Sequence, residues 1–188
     1  LIKQFRKFHL NFEKMRKIGF FAFIICFFSC ANIEPRVPLN RGKSFLSSSA
    51  LRNKQMLLEE EKLLIKSADQ DSLLNYQKSE AGYLFAFKNR APSKVQMPRK
   101  GDRVRFQYQI EDLDKKIIYD KEKLGLVNYS IDEEDLLPAL REALRIMRPN
   151  EVAVFLFPSY LCYSYQGDGD KIGINQPLRF TIERLKNP

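Results

Sequence analysis

Few residues of this chain could carry covalent or metal chemistry, and most of these lie near its beginning. The 188 residues include one histidine, His9, and three cysteines, Cys26, Cys30 and Cys162. If the first thirty residues are removed in processing, the remaining chain has no histidine and keeps Cys162 as its single thiol. Such a chain has no Ser-His-Asp or Cys-His arrangement, no Cys/His zinc site and no internal disulfide. The sequence therefore excludes several enzyme classes and predicts neither a metal nor a cofactor.

Two acidic stretches have the side chains of a metal site but not the spacing. Residues 132–135 read Asp-Glu-Glu-Asp, and we predict that they stand at a helix start, where the helix dipole favours carboxylates. Asp168-Gly169-Asp170 resembles a fragment of a calcium loop but lacks the further ligands that such a loop supplies. We interpret this second stretch as a polar turn.

Residues 15–30 have the organisation of a secretory signal. A basic pair, Arg16-Lys17, precedes an apolar run over residues 18–28, which is too short to span a bilayer comfortably and suits a signal-peptide core. The run ends at Ser29-Cys30, which resembles a bacterial lipobox, with Phe27 where leucine is usual. The sequence predicts a signal peptide over residues 1–30, translation from Met15, and lipidation of Cys30 on the periplasmic side of a bacterial envelope. The alternative is a plain membrane anchor with an incidental cysteine.

The formal net charge of +9 is concentrated in this leading segment. Residues 1–30 hold six basic residues and one acidic residue, so their net charge is +5 and that of residues 31–188 is +4. The later charges are interspersed and form no basic stripe. We therefore expect no nucleic-acid partner.

The segment between the signal and the main domain divides into a tether and a helical extension. Residues 31–49 contain two prolines, a glycine and a serine run, so we predict a flexible tether. The serines at 47–49 can cap a helix beginning near Ala50, and a second short helix is expected over residues 69–78. The extension, residues 50–79, is either an ordinary solvated element or a docking arm for a partner or a second copy.

The rest of the chain alternates strand and helix patterns. An aromatic strand follows Gly82, and apolar residues at 104, 106, 108 and 110 alternate with polar ones as in a half-buried strand. Leu136, Leu140, Leu144 and Met147 share one helical face, with Pro138 in the first turn and residues 148–150 ending the helix. Two further strands are predicted at residues 152–157 and from Leu178 onward.

The order of these elements over residues 98–185 resembles the FKBP-type peptidyl-prolyl isomerases. Within that group, three segments are similar to an isomerase-like lipoprotein family associated with bacterial gliding motility. They are residues 115–119 (Lys-Lys-Ile-Ile-Tyr), 154–159 (Val-Phe-Leu-Phe-Pro-Ser) and 171–178 (Lys-Ile-Gly-Ile-Asn-Gln-Pro-Leu). The resemblance implies an α+β domain over residues 80–188, with a strongly bent antiparallel sheet wrapped on one short helix.

The resemblance also implies an aromatic-lined pocket for proline. It assigns catalytic roles to Tyr108 and to Tyr163, whose hydroxyl can donate to a carbonyl of the bound peptide. It assigns substrate contacts to Ile118, Tyr119, Leu136, Leu137, Leu140, Ile172 and Phe180. Three positions depart from the family pattern: Leu140 replaces a tryptophan at the pocket floor, Tyr119 replaces an aspartate, and Gly173-Ile174 replace a proline pair.

Proline isomerisation requires no nucleophile, metal or cofactor, which agrees with the residues that remain after residue 30. We therefore expect an isomerase that assists the folding of proline-containing envelope proteins. The alternative is a non-catalytic proline-binding or chaperone module with a degenerate pocket. The missing tryptophan favours the binding module, whereas the retained Tyr108, Tyr163 and Phe180 favour the enzyme.

Overall fold

The structure is a computed structural model that describes residues 41–186, with side chains from residue 47. The predicted signal peptide, Cys30 and the first part of the tether lie outside the described residues. In chain order the elements are helix α1 (Arg41–Asp69), strands β1 (Gln77–Lys78), β2 (Leu84–Asn89), β3 (Arg103–Glu111) and β4 (Ile117–Tyr119), helix α2 (Lys121–Leu124), strand β5 (Val127–Ser130), helix α3 (Pro138–Ile146), strand β6 (Val152–Phe157), a 3-10 helix (Ser159–Leu161) and strand β7 (Leu178–Leu185).

Seven strands form one antiparallel sheet in the order β1-β2-β6-β7-β3-β4, with β5 also paired to β3. The first half of β3 pairs with β5, while its end pairs with β4 across a register shift at residues 110–111. Such irregularities bend the strand that carries them and increase its twist. The predicted α+β class and bent antiparallel sheet are confirmed.

Helix α3 supplies the apolar face on which the sheet is wrapped. Its residues Ala139, Leu140, Ala143 and Leu144 are buried, and they join the inward side chains of β3, β6 and β7 in one core. Pro138 occupies the first helical position, where its missing N–H removes no helical hydrogen bond. Alternation along β3 and β7 places every second side chain in this core because one face of each strand is covered.

The acidic run before α3 does not begin the helix, and that prediction is wrong. Residues 132–135 lie in a turn and the irregular segment after it, and the helix starts at Pro138 with no acidic residue in its first turn. Glu134 instead accepts hydrogen bonds from the Ser130 N–H and hydroxyl, both at 3.1 Å. Asp132 pairs with Arg145 at 2.7 Å. These bonds, rather than the helix dipole, hold the carboxylates of Asp132 and Glu134.

Two boundaries of the helical extension also differ from prediction. Helix α1 begins at Arg41, so residues 41–49 are helical where a tether was expected. No proline or glycine occurs between Lys43 and Asp69, which allows one continuous helix through the serine run. The second helix predicted over residues 69–78 is absent from the described chain: a turn follows α1, and Gln77 and Lys78 pair with Phe85 and Leu84.

The C-terminal half of α1 packs against the sheet of its own chain. Leu64 is 1% exposed and forms a second apolar cluster with Leu84 and Leu156. The Ser67 hydroxyl donates to the carbonyl of Leu113 at 2.8 Å. Other apolar side chains of this helix, including Leu57, are 42–58% exposed. The extension is therefore anchored on the domain along one side, rather than solvated all round.

An ion-pair network closes the junction between the end of α1 and the sheet. Arg179 of β7 contacts Asp71 at 2.9 Å and Glu111 of β3 at 3.2 Å, and all three side chains are buried. Lys115 adds a contact to Asp71 at 3.3 Å. Burial alone would raise the pKa of Asp71, but hydrogen bonds and charges from Arg179 and Lys115 outweigh it and lower the pKa.

No helix within residues 41–186 is both long and apolar enough to cross a bilayer.

Candidate functional site

A stacked pair of aromatic rings forms one wall of the candidate site. Tyr108 of β3 and Phe180 of β7 lie on the inner face of the sheet, with ring centroids 6.1 Å apart and ring planes inclined by 12°. Phe157 of β6 meets Phe180 edge to face at 5.5 Å, which fixes the Phe180 ring. Phe180 is fully buried, whereas Tyr108 is half-buried and its pKa is raised by burial. Tyr108 therefore presents this wall to solvent.

Tyr163 lies in the turn that follows the 3-10 helix. Its ring is half-buried against the main core, and burial, with further contributions from Tyr108 and Asp168, raises the pKa of Tyr163 to about 12. The phenol is therefore protonated at neutral pH and can donate a hydrogen bond. Among residues 41–186, no group forms a hydrogen bond with the Tyr163 or the Tyr108 hydroxyl, so both are available to a ligand.

Asp168 organises the loop that follows Tyr163. Its Oδ1 accepts backbone N–H groups of Asp170, Lys171 and Ile172 at 2.9, 3.0 and 2.8 Å, and its Oδ2 accepts a hydrogen bond from the Tyr119 hydroxyl. Desolvation would raise the pKa of Asp168, but these bonds outweigh it and lower the pKa to about 2. The loop thereby holds Ile172, which is 3% exposed, against the core.

Tyr119 is thus tied to the loop through its hydroxyl. A second carboxylate, that of Asp170, lies 3.3 Å from the same oxygen, and the Lys171 ammonium lies 5.0 Å from the ring centroid. The hydrogen bond to Asp168 raises the pKa of Tyr119, and desolvation raises it further. The neighbouring Asp120 caps α2 by accepting the Glu122 N–H at 2.9 Å. Tyr119 has no carboxylate, and the carboxylate of Asp120 caps a helix. Neither residue therefore supplies a free carboxylate at the position where the family pattern has an aspartate.

The remaining apolar side chains come from the segment that leads into α3 and from β4. Leu136 and Leu137 are half-buried on the core, and the Leu137 carbonyl accepts the N–H groups of Leu140 and Arg141 at the helix start. Ile118 packs on the same core from β4. Leu140 lies in the first turn of α3 and is 1% exposed. Leu140 therefore belongs to the buried core on which these half-buried residues pack.

The structure brings all nine sequence-predicted pocket residues into one apolar cluster. They divide by exposure into an outer and an inner set. The outer, half-buried set is Tyr108, Ile118, Tyr119, Leu136, Leu137 and Tyr163, and the inner, buried set is Leu140, Ile172 and Phe180. The outer set keeps part of its surface exposed, and the inner set is enclosed in the core. Their assigned roles in substrate binding stay predictions.

Two groups that shape the site were missed by sequence reasoning. Asp168 was interpreted only as part of a polar turn, and its bond to Tyr119 spans 49 residues. Glu60 of α1 was not singled out, yet its buried carboxylate bonds to Ser159 at the start of the segment that carries Tyr163. A carboxylate inside an amphipathic helix gives no local sign of such a partner.

Thiol and metal chemistry receive no support from the described residues. Burial raises the pKa of the Cys162 thiol, and the nearby Glu60 charge raises it further, so the reactive thiolate is disfavoured. Within residues 41–186, no group of three or more His, Cys, Asp or Glu side chains is arranged to hold a metal ion.

Comparison with known proteins identifies relatives of the domain that carries this site. Residues 94–185 match the sequence model of the FKBP-type peptidyl-prolyl cis-trans isomerases. A probable FKBP-type peptidyl-prolyl cis-trans isomerase, FkpA, of Neisseria meningitidis serogroup B is 32% identical over 91 residues. That match covers 47% of this chain and 32% of the relative, so this chain matches about a third of the relative's length.

A solved structure extends the likeness of the fold. The crystal structure of a peptidyl-prolyl cis-trans isomerase from Pseudomonas syringae pv. tomato superposes with a TM-score of 0.55 at 22% sequence identity. The superposition covers 71% of this chain and 93% of that one. The FKBP-type resemblance predicted from the sequence is confirmed by the family match together with this fold.

Proposed function

We propose that this chain, which carries a domain of the FKBP-type peptidyl-prolyl cis-trans isomerase family over residues 94–185, catalyses cis-trans isomerisation of Xaa-Pro bonds in polypeptide clients. The observation that carries the proposal is the meeting of Tyr108, Tyr163 and the buried Phe180 in one apolar cluster, with both phenol hydroxyls available. An apolar wall with a hydrogen-bond donor suits a proline ring and an adjacent carbonyl.

The chemistry follows from the amide itself. Rotation about an Xaa-Pro bond has a barrier of about 20 kcal/mol because the planar amide loses resonance when it twists. The twisted amide has less charge separation than the planar one, so apolar surroundings favour it relative to water. The Tyr163 hydroxyl can donate to a neighbouring peptide carbonyl and so fix the chain while the bond rotates. The pKa of about 12 keeps that donor protonated.

Isomerase activity can be measured directly with a protease-coupled assay on Xaa-Pro peptides. The spontaneous reaction takes tens to hundreds of seconds, so acceleration by the purified chain is readily seen. The control is the same chain with an excess of an unreactive proline peptide, which should suppress the acceleration by occupying the pocket. A folded chain that leaves the spontaneous rate unchanged would contradict the enzyme proposal.

A second candidate function is proline binding without catalysis. The observation that favours it is Leu140, which is aliphatic and 1% exposed where the family pattern has a tryptophan floor. An aliphatic floor gives less contact area to a proline ring than an aromatic one. Binding of proline peptides measured by calorimetry, in a folded chain that gives no acceleration in the assay, would select this function.

We also propose that the chain is a lipoprotein of the bacterial envelope, facing the periplasm, with clients among envelope proteins. The proposal is supported by the signal-like residues 15–30 ending at Cys30 and by the proline-bearing segment after it. Mass spectrometry of the mature N-terminus should find a lipidated Cys30, and Cys30→Ala should abolish the modification. An unmodified N-terminus upstream of Cys30 would contradict lipidation.

The three segments that resemble a gliding-motility family support a proposal about one group of client proteins. We propose that these clients include proteins of a gliding apparatus. Cells that lack the chain should glide poorly and recover with the wild-type gene. Unchanged gliding in those cells would separate this proposal from the isomerase activity, which is assayed on peptides.

A further inference from the structure

The carboxylate of Glu60 in helix α1 is buried and bound to a single residue. Glu60 is 4% exposed, and its Oε2 accepts the Ser159 N–H at 2.8 Å while its Oε1 accepts the Ser159 hydroxyl at 2.6 Å. Within the described chain, no basic side chain forms an ion pair with Glu60. The two hydrogen bonds hold both the backbone and the side chain of Ser159 to the helix.

Ser159 in turn holds the backbone on both sides of Tyr163. Its carbonyl accepts the N–H groups of Cys162 and Ser164, both at 2.9 Å. The Ser164 carbonyl accepts the Asn175 N–H at 2.6 Å, which links the same segment to the loop that contains Ile172. The position of the Tyr163 backbone is therefore set by Ser159, two hydrogen bonds away from Glu60.

Helix α1 is a rigid support for this contact because it is held at further points along the chain. Leu64 is buried with Leu84 and Leu156 one turn beyond Glu60, and the Ser67 hydroxyl binds the Leu113 carbonyl. The Tyr160 hydroxyl donates to the Ala81 carbonyl at 2.6 Å. The segment from Ser159 to Ser164 is thus held both by α1 and by the loop before β2.

We propose that Glu60 is a positioning residue that sets the Tyr163 hydroxyl through Ser159, so that helix α1 is part of the isomerase machinery and not only an extension. This inference rests on the proposed isomerase function. Glu60 touches neither the pocket wall nor a substrate, and it acts only by holding the turn that carries Tyr163.

The first test compares two substitutions of Glu60 in the full chain. Glu60→Ala removes both acceptors and should lower kcat/KM on Xaa-Pro peptides by no more than the few-fold to roughly tenfold loss expected when the Tyr163 hydroxyl itself is removed. Glu60→Gln keeps an acceptor for the Ser159 N–H and can donate to the Ser159 hydroxyl, so it should restore most of the activity. The control Glu61→Gln alters a surface pair with Lys78 and should leave kcat/KM unchanged.

The second test separates positioning from general stabilisation. In Glu60→Ala, the Cys162 and Ser164 amides should exchange hydrogen faster, while amides of β3 and β6 keep their protection. In a Tyr163→Phe background, Glu60→Ala should cost clearly less activity than in the wild type, since the hydroxyl that it positions is gone. Equal costs in the two backgrounds, or unchanged exchange at Cys162 and Ser164, would overturn the inference.

Failure of the proposed function would look different. A wild-type chain without isomerase activity overturns the enzyme proposal by itself. The positioning role is then decided by amide exchange at Cys162 and Ser164 and by calorimetric affinity for a proline peptide. Glu60→Ala should still change both the amide exchange and the affinity for the peptide. If either stays unchanged, the positioning role is overturned as well.

Discussion

The Tyr119 hydroxyl donates a hydrogen bond to the Asp168 carboxylate and so joins β4 to the loop after Tyr163. The carboxylate also collects three backbone N–H groups, so the same oxygen pair that receives Tyr119 also shapes the loop around Ile172. Two segments of the candidate site, β4 and the loop after Tyr163, are thus linked by a side-chain hydrogen bond. Loss of that bond should loosen the pocket while leaving its apolar walls intact.

Tyr119→Phe removes only the hydroxyl that donates to the Asp168 carboxylate. The Ile172 amide should exchange hydrogen faster, and the dissociation constant of a proline peptide should rise a few-fold, because the loop is less fixed before binding. The matched control is Tyr165→Phe, which removes a hydroxyl from a side chain that is 72% exposed. Calorimetry and amide exchange on both variants check this expectation, and identical behaviour of the two would contradict it.

Tyr163→Phe tests the predicted hydrogen bond to the substrate carbonyl. One such bond contributes about 0.5–1.5 kcal/mol, so kcat/KM should fall by a few-fold to roughly tenfold. Stability should change little because no described residue accepts a bond from this hydroxyl. The protease-coupled assay measures the first effect and urea unfolding the second. Wild-type activity in Tyr163→Phe would remove Tyr163 from the mechanism.

Acid should weaken the junction between α1 and the sheet. The folded-state pKa of Asp71 is lowered, chiefly by the hydrogen bonds from Arg179 and Lys115 acting against burial. A lowered carboxyl pKa contributes stability that is fully present above the unfolded value of about 3.9 and is lost as pH falls through the folded value. The free energy of unfolding should therefore decrease as the pH falls below about 4.

Asp71→Asn isolates this contribution. The variant should be less stable than the wild type at pH 7, and its free energy of unfolding should fall less on acidification because the amide side chain that replaces the carboxylate does not take up a proton. The control, Asp69→Asn, changes an exposed side chain two residues earlier and should keep the wild-type profile. Parallel pH profiles for the wild type and Asp71→Asn, measured by urea unfolding, would rule out this role for Asp71.

The elements that sequence patterns predicted well are those with one covered face. Val104, Phe106 and Ile110 of β3 are buried on one face of the strand, and Leu140 and Leu144 of α3 are buried at a spacing of four, because each element lies on the same core. The predicted ends of β6 match the structure, since a continuous apolar run marks a strand buried on both faces.

The elements that the sequence misplaced are governed by contacts between distant residues. The expected second helix over residues 69–78 is replaced by a turn in which Asp71 binds Arg179, 108 residues away. The acidic run before α3 is held by Ser130 and Arg145 rather than by the helix dipole. In the candidate site, the resemblance identified the apolar residues but not the contacts of Asp168 and Glu60. Those contacts could not be predicted because the local sequence spacing carries no information about a partner in another element.

The last prediction concerns Leu140, which is buried in the core that the outer side chains of the candidate pocket pack against. Leu140→Trp would place an aromatic surface where the family pattern has one, and a proline ring would gain contact area from it. Because Leu140 is 1% exposed, the larger side chain must displace its neighbours, and overpacking typically costs about 1–3 kcal/mol of stability.

The expected result is a less stable protein that binds proline peptides more tightly and isomerises them faster than the wild type. Calorimetry and the protease-coupled assay measure the two gains, and urea unfolding measures the cost. Leu144→Trp is the matched control, because Leu144 is buried one turn further along α3 and is not among the predicted pocket residues. It should destabilise the fold without any gain in binding. A folded Leu140→Trp protein with unchanged binding and isomerisation would mean that Leu140 is ordinary core and that the pocket floor lies elsewhere.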